Sequence, residues 1–141
     1  MRKLFSVIAV LVGGFAMQLQ AQSMREAFLK APEELFPLLT DLCRADLIDY
    51  FDAGMTAKVT NKLDGVTVLE SLDDDFMQIA TTRSSSVQVK MLPCADDTLF
   101  CVVRSVKAEV ADSRIDFYDS NWNRLPVDGR FAYPAISDFF V

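Results

Sequence analysis

The 141 residues contain no histidine. This absence removes the Ser-His-Asp and Cys-His nucleophilic sites and most zinc sites, which depend on an imidazole. Glycine is scarce, with five in the chain, and none builds a Gly-rich phosphate loop. Ser84-Ser85-Ser86 has no lysine three residues on, so it departs from the Ser-x-x-Lys nucleophile pattern and reads as a flexible turn. Positive charge is short as well: 14 Lys and Arg stand against 20 Asp and Glu, for a net charge of −6. A chain of that sign repels a phosphate backbone, so nucleic acid is not an expected partner. No apolar run reaches the roughly 20 residues that span a bilayer.

The longest apolar run, Leu4 to Met17, follows a positive Met1-Arg2-Lys3 start and precedes polar Gln18-Leu19-Gln20-Ala21-Gln22. This is the three-part order of a secretory signal peptide. Leu19 and Ala21 suit the −3 and −1 positions, so cleavage is expected after Ala21. No cysteine lies near the cut to receive a lipid anchor. The competing reading is an uncleaved membrane anchor, for which the run is short. Residues 22–141 then form one domain, large enough for a modest core. Losing Arg2 and Lys3 makes it more acidic still. After cleavage it is not expected to be an integral membrane protein, and its location is the periplasm or the cell surface.

Cysteine is limited to Cys43, Cys94 and Cys101. Export permits a disulfide. Cys94 and Cys101 flank Ala95-Asp96-Asp97-Thr98-Leu99-Phe100, which reads as a hairpin tip, so a bridge between them depends on strand register. An odd count leaves at least one thiol free or paired between chains. Cys43 reads as a small buried hydrophobe on a helix.

The hydrophobic period is near 3.6 over residues 23–54 and near 2 afterwards. Ser23 and Glu26 stand at capping-box spacing, Pro32 can open a second helix, and Pro37 divides it. Leu35, Leu38, Leu39 and Leu42 recur on one face. Asp46 is placed to restart a turn carrying Leu47, Tyr50 and Phe51, with Gly54 as the stop. Strands are predicted over Thr56–Asn61, Val66–Glu70, Phe76–Thr82, Val87–Leu92, Leu99–Val103 and Ile115–Tyr118. Lys62-Leu63-Asp64-Gly65 marks one hairpin, and Asp128-Gly129 marks another between Leu125–Val127 and Phe131–Tyr133. Helices first and strands afterwards predict an α+β fold, with helices at about 23–54 packed on an antiparallel meander at about 55–141. The ending Asp138-Phe139-Phe140-Val141 is apolar, which reads as a final core strand or as a cut within a longer protein; the second is our expectation.

Candidate chemistry is sparse, and no cofactor or metal is implied. Asp46, Asp49 and Asp52 share a helix face, as carboxylates of a hydrolase or as a solvated surface. Asp73-Asp74-Asp75 and Asp96-Asp97 are acidic turns that could hold Ca²⁺ or simply turn the chain. Asp119-Ser120-Asn121-Trp122-Asn123 begins like a calcium loop, but Arg124 stands where glycine is required and Arg130 where the bidentate glutamate belongs. It reads as a polar turn carrying Trp122, either a platform for a ligand or partner or a plug at the core edge.

Two stretches carry a family resemblance. The first is Ala31-Pro-Glu-Glu-Leu-Phe-Pro-Leu-Leu-Thr40, continuing through Asp46-Leu-Ile-Asp-Tyr-Phe-Asp-Ala-Gly-Met55 to Lys58-Val-Thr-Asn61. The second is Asp112-Ser-Arg-Ile-Asp-Phe-Tyr-Asp-Ser-Asn-Trp122. Over roughly Met24 to Val141 the chain resembles an uncharacterised family of small exported proteins from Bacteroidales-type bacteria. The resemblance implies export, a helix-then-sheet order and a longer C-terminus, and it assigns no functional residue.

Three functional expectations follow. The first is a non-catalytic envelope protein acting on an unknown protein or envelope component. The second is a ligand-binding module for glycan, peptide or lipid that uses Trp122, Tyr133 and the open sheet face. The third is a carboxylate hydrolase built on residues 46–52.

Overall fold

The computed structural model describes residues 22–94, 97–130, 132, 134, 135 and 137. Helix α1 (Met24–Lys30) opens the domain. Ser23 caps it, its Oγ accepting from the Glu26 amide at 3.3 Å. Pro32 leads into a single 3₁₀ turn, Glu33–Leu35, rather than a full helix, and the chain breaks again around Pro37. Helix α2 (Asp41–Asp52) then runs unbroken. Its cap is Thr40, whose Oγ1 accepts from the Cys43 amide at 3.1 Å. The expected restart at Asp46 is therefore corrected: Thr40 already supplies the oxygen that starts the helix, and Asp46 lies inside it. Gly54 ends the helical region at φ +69°, a conformation that glycine reaches without a Cβ clash.

Among the described residues seven strands follow, β1 (Lys58–Thr60), β2 (Val66–Leu72), β3 (Phe76–Ala80), β4 (Ser85–Pro93), β5 (Thr98–Lys107), β6 (Ala111–Tyr118) and β7 (Arg124–Leu125). They pair antiparallel in sequence order, as the α+β meander predicts. At the first hairpin, Asn61 Oδ1 accepts from the amides of Leu63 and Gly65, and Asp64 takes φ +57°. A Cβ on Gly65 would come within 3.2 Å of the Asn61 side chain, so glycine there preserves this turn. A bulge between Leu69 and Ser71 shifts the β2–β3 register. Asp128 and Gly129 do form a turn, with Gly129 at φ +77°. Of the partner strand expected at Phe131–Tyr133, Phe131 and Tyr133 lie outside the described residues, as does the apolar end at Phe139–Val141.

Helix α1, the Glu33–Leu35 turn and α2 pack on one face of the sheet. There Phe28, Phe36 and Leu47 meet Ile79, Val89, Phe100 and Val102 in one buried cluster. Phe28 and Phe36 meet edge to face at 5.0 Å. Arg44 is buried within this layer, and its Nη1 donates to the carbonyl oxygens of Phe28 (3.0 Å) and Ala31 (2.5 Å). A cation thus closes the C-terminal end of α1, where helix carbonyls lack partners.

Candidate functional site

Strand periodicity sends Arg104, Arg114 and Asp116 to the helix side, because Val102 pairs with Asp116 and Arg104 with Arg114. Arg124 arrives beside them because β7 pairs it with Tyr118. Asp116 is 1% exposed. Its Oδ2 accepts from Arg104 Nη1 at 2.9 Å. Its Oδ1 accepts from Arg114 Nη2 at 3.1 Å and Arg124 Nη2 at 2.6 Å. Burial pushes this carboxyl upward in pKa, but hydrogen bonds from Arg124 and Arg114 outweigh it and hold the group below the usual carboxylate range. One carboxylate therefore faces three guanidiniums, a surplus of positive charge on an acidic chain. Beside them is a cavity of about 160 Å³ with apolar walls that include Leu35, Phe36, Leu39 and Val87, and with Glu34, Thr81 and Arg104 also on its lining.

Trp122 belongs to the same side of the sheet. It is 8% exposed, stacks on Phe100 with ring centroids 4.1 Å apart and meets Tyr118 edge-on at 5.8 Å. Its backbone is held at φ +64° by the preceding turn. In that turn Asp119 Oδ1 accepts from the amides of Asn121 and Asn123, and Oδ2 accepts from Asn123 Nδ2. Those bonds hold the Asp119 carboxyl below its ordinary pKa and commit its oxygens to the turn. Trp122 thus sits at the core edge, with most of its ring out of reach of a ligand. Tyr133, the other expected contact, lies outside the described residues.

The Cys94–Cys101 bridge is corrected by register. Pro93 pairs with Thr98, so Cys101 lies three residues down β5 from that level. At roughly 3.3 Å per residue this is about 10 Å along the strand, beyond the Cα separation of about 7 Å that a disulfide tolerates. Cys94 is exposed, Cys101 is half-buried, and both are free thiols. Burial pushes the Cys101 thiol above its ordinary pKa. Maleimide without reductant is therefore expected to label Cys94 first and Cys101 more slowly, read by intact mass. A Cys94 that labels only after reduction would contradict this register. C94S should leave the melting temperature unchanged.

On α2, Asp49 and Asp52 are exposed and Asp46 is half-buried. Arg25 Nη2 donates to Asp52 Oδ1 at 2.7 Å, so one of the three carboxylates pins α1 to α2. Asp75 pairs with Lys90. Among the described residues, no three acidic or cysteine side chains gather at a point that could hold a metal.

The opposite sheet face is covered by neither α1, the Glu33–Leu35 turn nor α2. Leu92 and Leu99 form one cross-strand row, Val103 and Ile115 a second, and Phe117 and Leu125 a third. Phe117 is buried yet separate from the helix-side cluster, which marks a second apolar centre on this face. Gln78, Gln88 and Lys90 lie beside it on β3 and β4.

Sequence reasoning passed over Asp116 and its three arginines. The available signal was the alternation of Arg114 and Asp116 in a strand whose neighbouring positions are apolar, since a charge at an inward position requires a partner.

Residues 16–141 match a family described as "Protein of unknown function (DUF3256)". Among solved structures, the chain is similar to a domain of an uncharacterized protein from Porphyromonas gingivalis W83, with a TM-score of 0.73 and 34% identity. The match covers 86% of this chain and 62% of that one, so this chain spans under two thirds of its relative's length. No curated protein matches the chain.

Proposed function

The chain belongs to the DUF3256 family of proteins of unknown function, and from that premise we propose that it is an exported, non-catalytic protein of the cell envelope that works through contacts with other proteins. The observation that carries this reading is the helix-free sheet face. Leu92, Leu99, Val103, Ile115 and Leu125 are all half-buried there, and none belongs to the cluster that α1 and α2 cover. Contiguous apolar surface rimmed by polar side chains is the usual composition of a protein contact. Export is supported by the signal-like order of residues 1–21, and a non-catalytic role by the lack of histidine. Among the described residues no helix is long and apolar enough to cross a membrane.

Two measurements test the reading. The N-terminus of the protein recovered from the envelope fraction is expected to be Gln22; a chain that keeps Met1 and stays in the cytoplasm contradicts export. The double variant V103K/I115E should melt within a few degrees of the parent but lose its high-mass complex in native gels of the envelope fraction. Retention of the complex in a folded variant would remove the contact face from the account.

A further inference from the structure

We propose that Arg104, Arg114 and Arg124, together with the cavity beside Arg104, form a binding site for an amphipathic phosphate monoester: a small apolar group carrying a dianionic head. The site lies on the helix side of the sheet, so it is independent of the contact face proposed above.

Charge is the first part of the argument. The three guanidiniums share the single carboxylate of Asp116 as their ion-pair partner among the described residues, which leaves a formal surplus of two positive charges in this cluster. The salt-bridge partners of Asp116 are partly open to solvent, with side-chain exposures of 30% for Arg104, 63% for Arg114 and 57% for Arg124. A ligand can therefore reach them. A phosphate monoester carries close to two negative charges near neutral pH and offers three strong acceptor oxygens.

Donor capacity is the second part. A guanidinium presents five N–H donors. Arg104 gives only Nη1 to Asp116, Arg124 gives only Nη2, and Arg114 gives Nε and Nη2. Among the described residues, Arg104 and Arg124 therefore keep both other nitrogens for an anion. Asp116 acts as a positioning residue: being buried and fixed in β6, it turns three long side chains toward one spot before any ligand arrives, which lowers the entropy lost on binding.

Shape is the third part. The cavity adjoins the cluster through Arg104, which lines both. It measures about 160 Å³, and its other walls are mostly aliphatic and aromatic, with Glu34 the acidic residue on its lining. An apolar cavity of about 150 Å³ lined by Leu, Ile and Phe takes up a benzene-sized molecule. A phenyl-sized tail in the cavity therefore places its attached phosphate at Arg104, with Arg114 directly across the strand pair.

Calorimetric titration of the purified protein with phenyl phosphate, methyl phosphate and phenol tests this. Phenyl phosphate should bind at least about tenfold tighter than either of the others, because only it uses both the arginines and the cavity. R104Q and, separately, the more exposed R124Q should each weaken it about tenfold or more, with circular dichroism confirming that each variant is folded. The apparent affinity should also fall as salt rises. No binding of phenyl phosphate at millimolar concentration overturns the proposal. Equal affinity for methyl and phenyl phosphate, or undiminished binding in both folded arginine variants, overturns it equally.

Discussion

R44L is expected to destabilise the protein by about 3 kcal/mol, although it replaces a buried charge with an apolar side chain of core type. Arg44 holds the carbonyls of Phe28 and Ala31 and reaches Asp41 with its other terminal nitrogen. Phe28 O keeps a second donor, the Ala31 amide at 3.4 Å, but Ala31 O has no other donor among the described residues. Leucine leaves that acceptor buried and unpaired, at a cost of about 1–3 kcal/mol. It also frees the end of α1, whose seven residues are too few to hold helical form without tertiary support. Phe28 and Met24, both in the core, depend on α1 staying docked. Arg44 Nε has no partner among the described residues, so part of the loss is offset when the guanidinium is removed. R44K should recover only a fraction, because a single point-like nitrogen lacks the planar fork that sets Nη1 on the two carbonyls and Nη2 on Asp41. Urea unfolding reads the effect as a lower midpoint at unchanged slope. A loss below about 0.5 kcal/mol would mean that water or a backbone shift satisfies the α1 carbonyls.

D116A is expected to cost about 2 kcal/mol at neutral pH, and the cost should fade in acid. Removing the carboxylate leaves three guanidiniums of like charge converging on an apolar hole. Their partial exposure lets them swing toward water, which keeps the cost below that of a fully buried pair. The folded-state pKa of Asp116 lies below its unfolded value of about 3.9. Its ionised form therefore stabilises the fold at any pH above that value, and this contribution disappears as pH falls through the folded pKa. The parent should lose its advantage over D116A below about pH 4, while other carboxylates such as Asp52 and Asp119 titrate alike in both proteins and cancel in the difference. An advantage that persists unchanged at pH 2 would show that Asp116 acts through packing rather than charge.

What the sequence disclosed follows from which interactions are local. The Ser23 cap and the Asn61–Gly65 turn each close within a few residues, so their signatures stand in the sequence. Thr40 was passed over because Cys43 stands where a capping box would have glutamate, while Asp46 carried a stronger cap-like residue type. β5 runs to Lys107 and β6 begins at Ala111, beyond the apolar runs that announced them. The polar ends are strand because they pair with each other, Arg104 with Arg114 and Ser105 with Ser113. The arginine cluster depends on that pairing and on β7 bringing in Arg124, so no linear spacing reveals it. The disulfide expectation went astray for the same reason: a hairpin was legible, but its register was not.

Site-specific photo-crosslinking in growing cells tests the central claim most directly. A photoreactive residue at position 115 lies on the helix-free face, and one at position 49 lies on the exposed side of α2. The account predicts a protein adduct of one discrete mass from position 115, absent from position 49 and lost when V103K is added. Equal adducts from both positions, or adducts to lipid or glycan alone, would contradict a protein contact on this face.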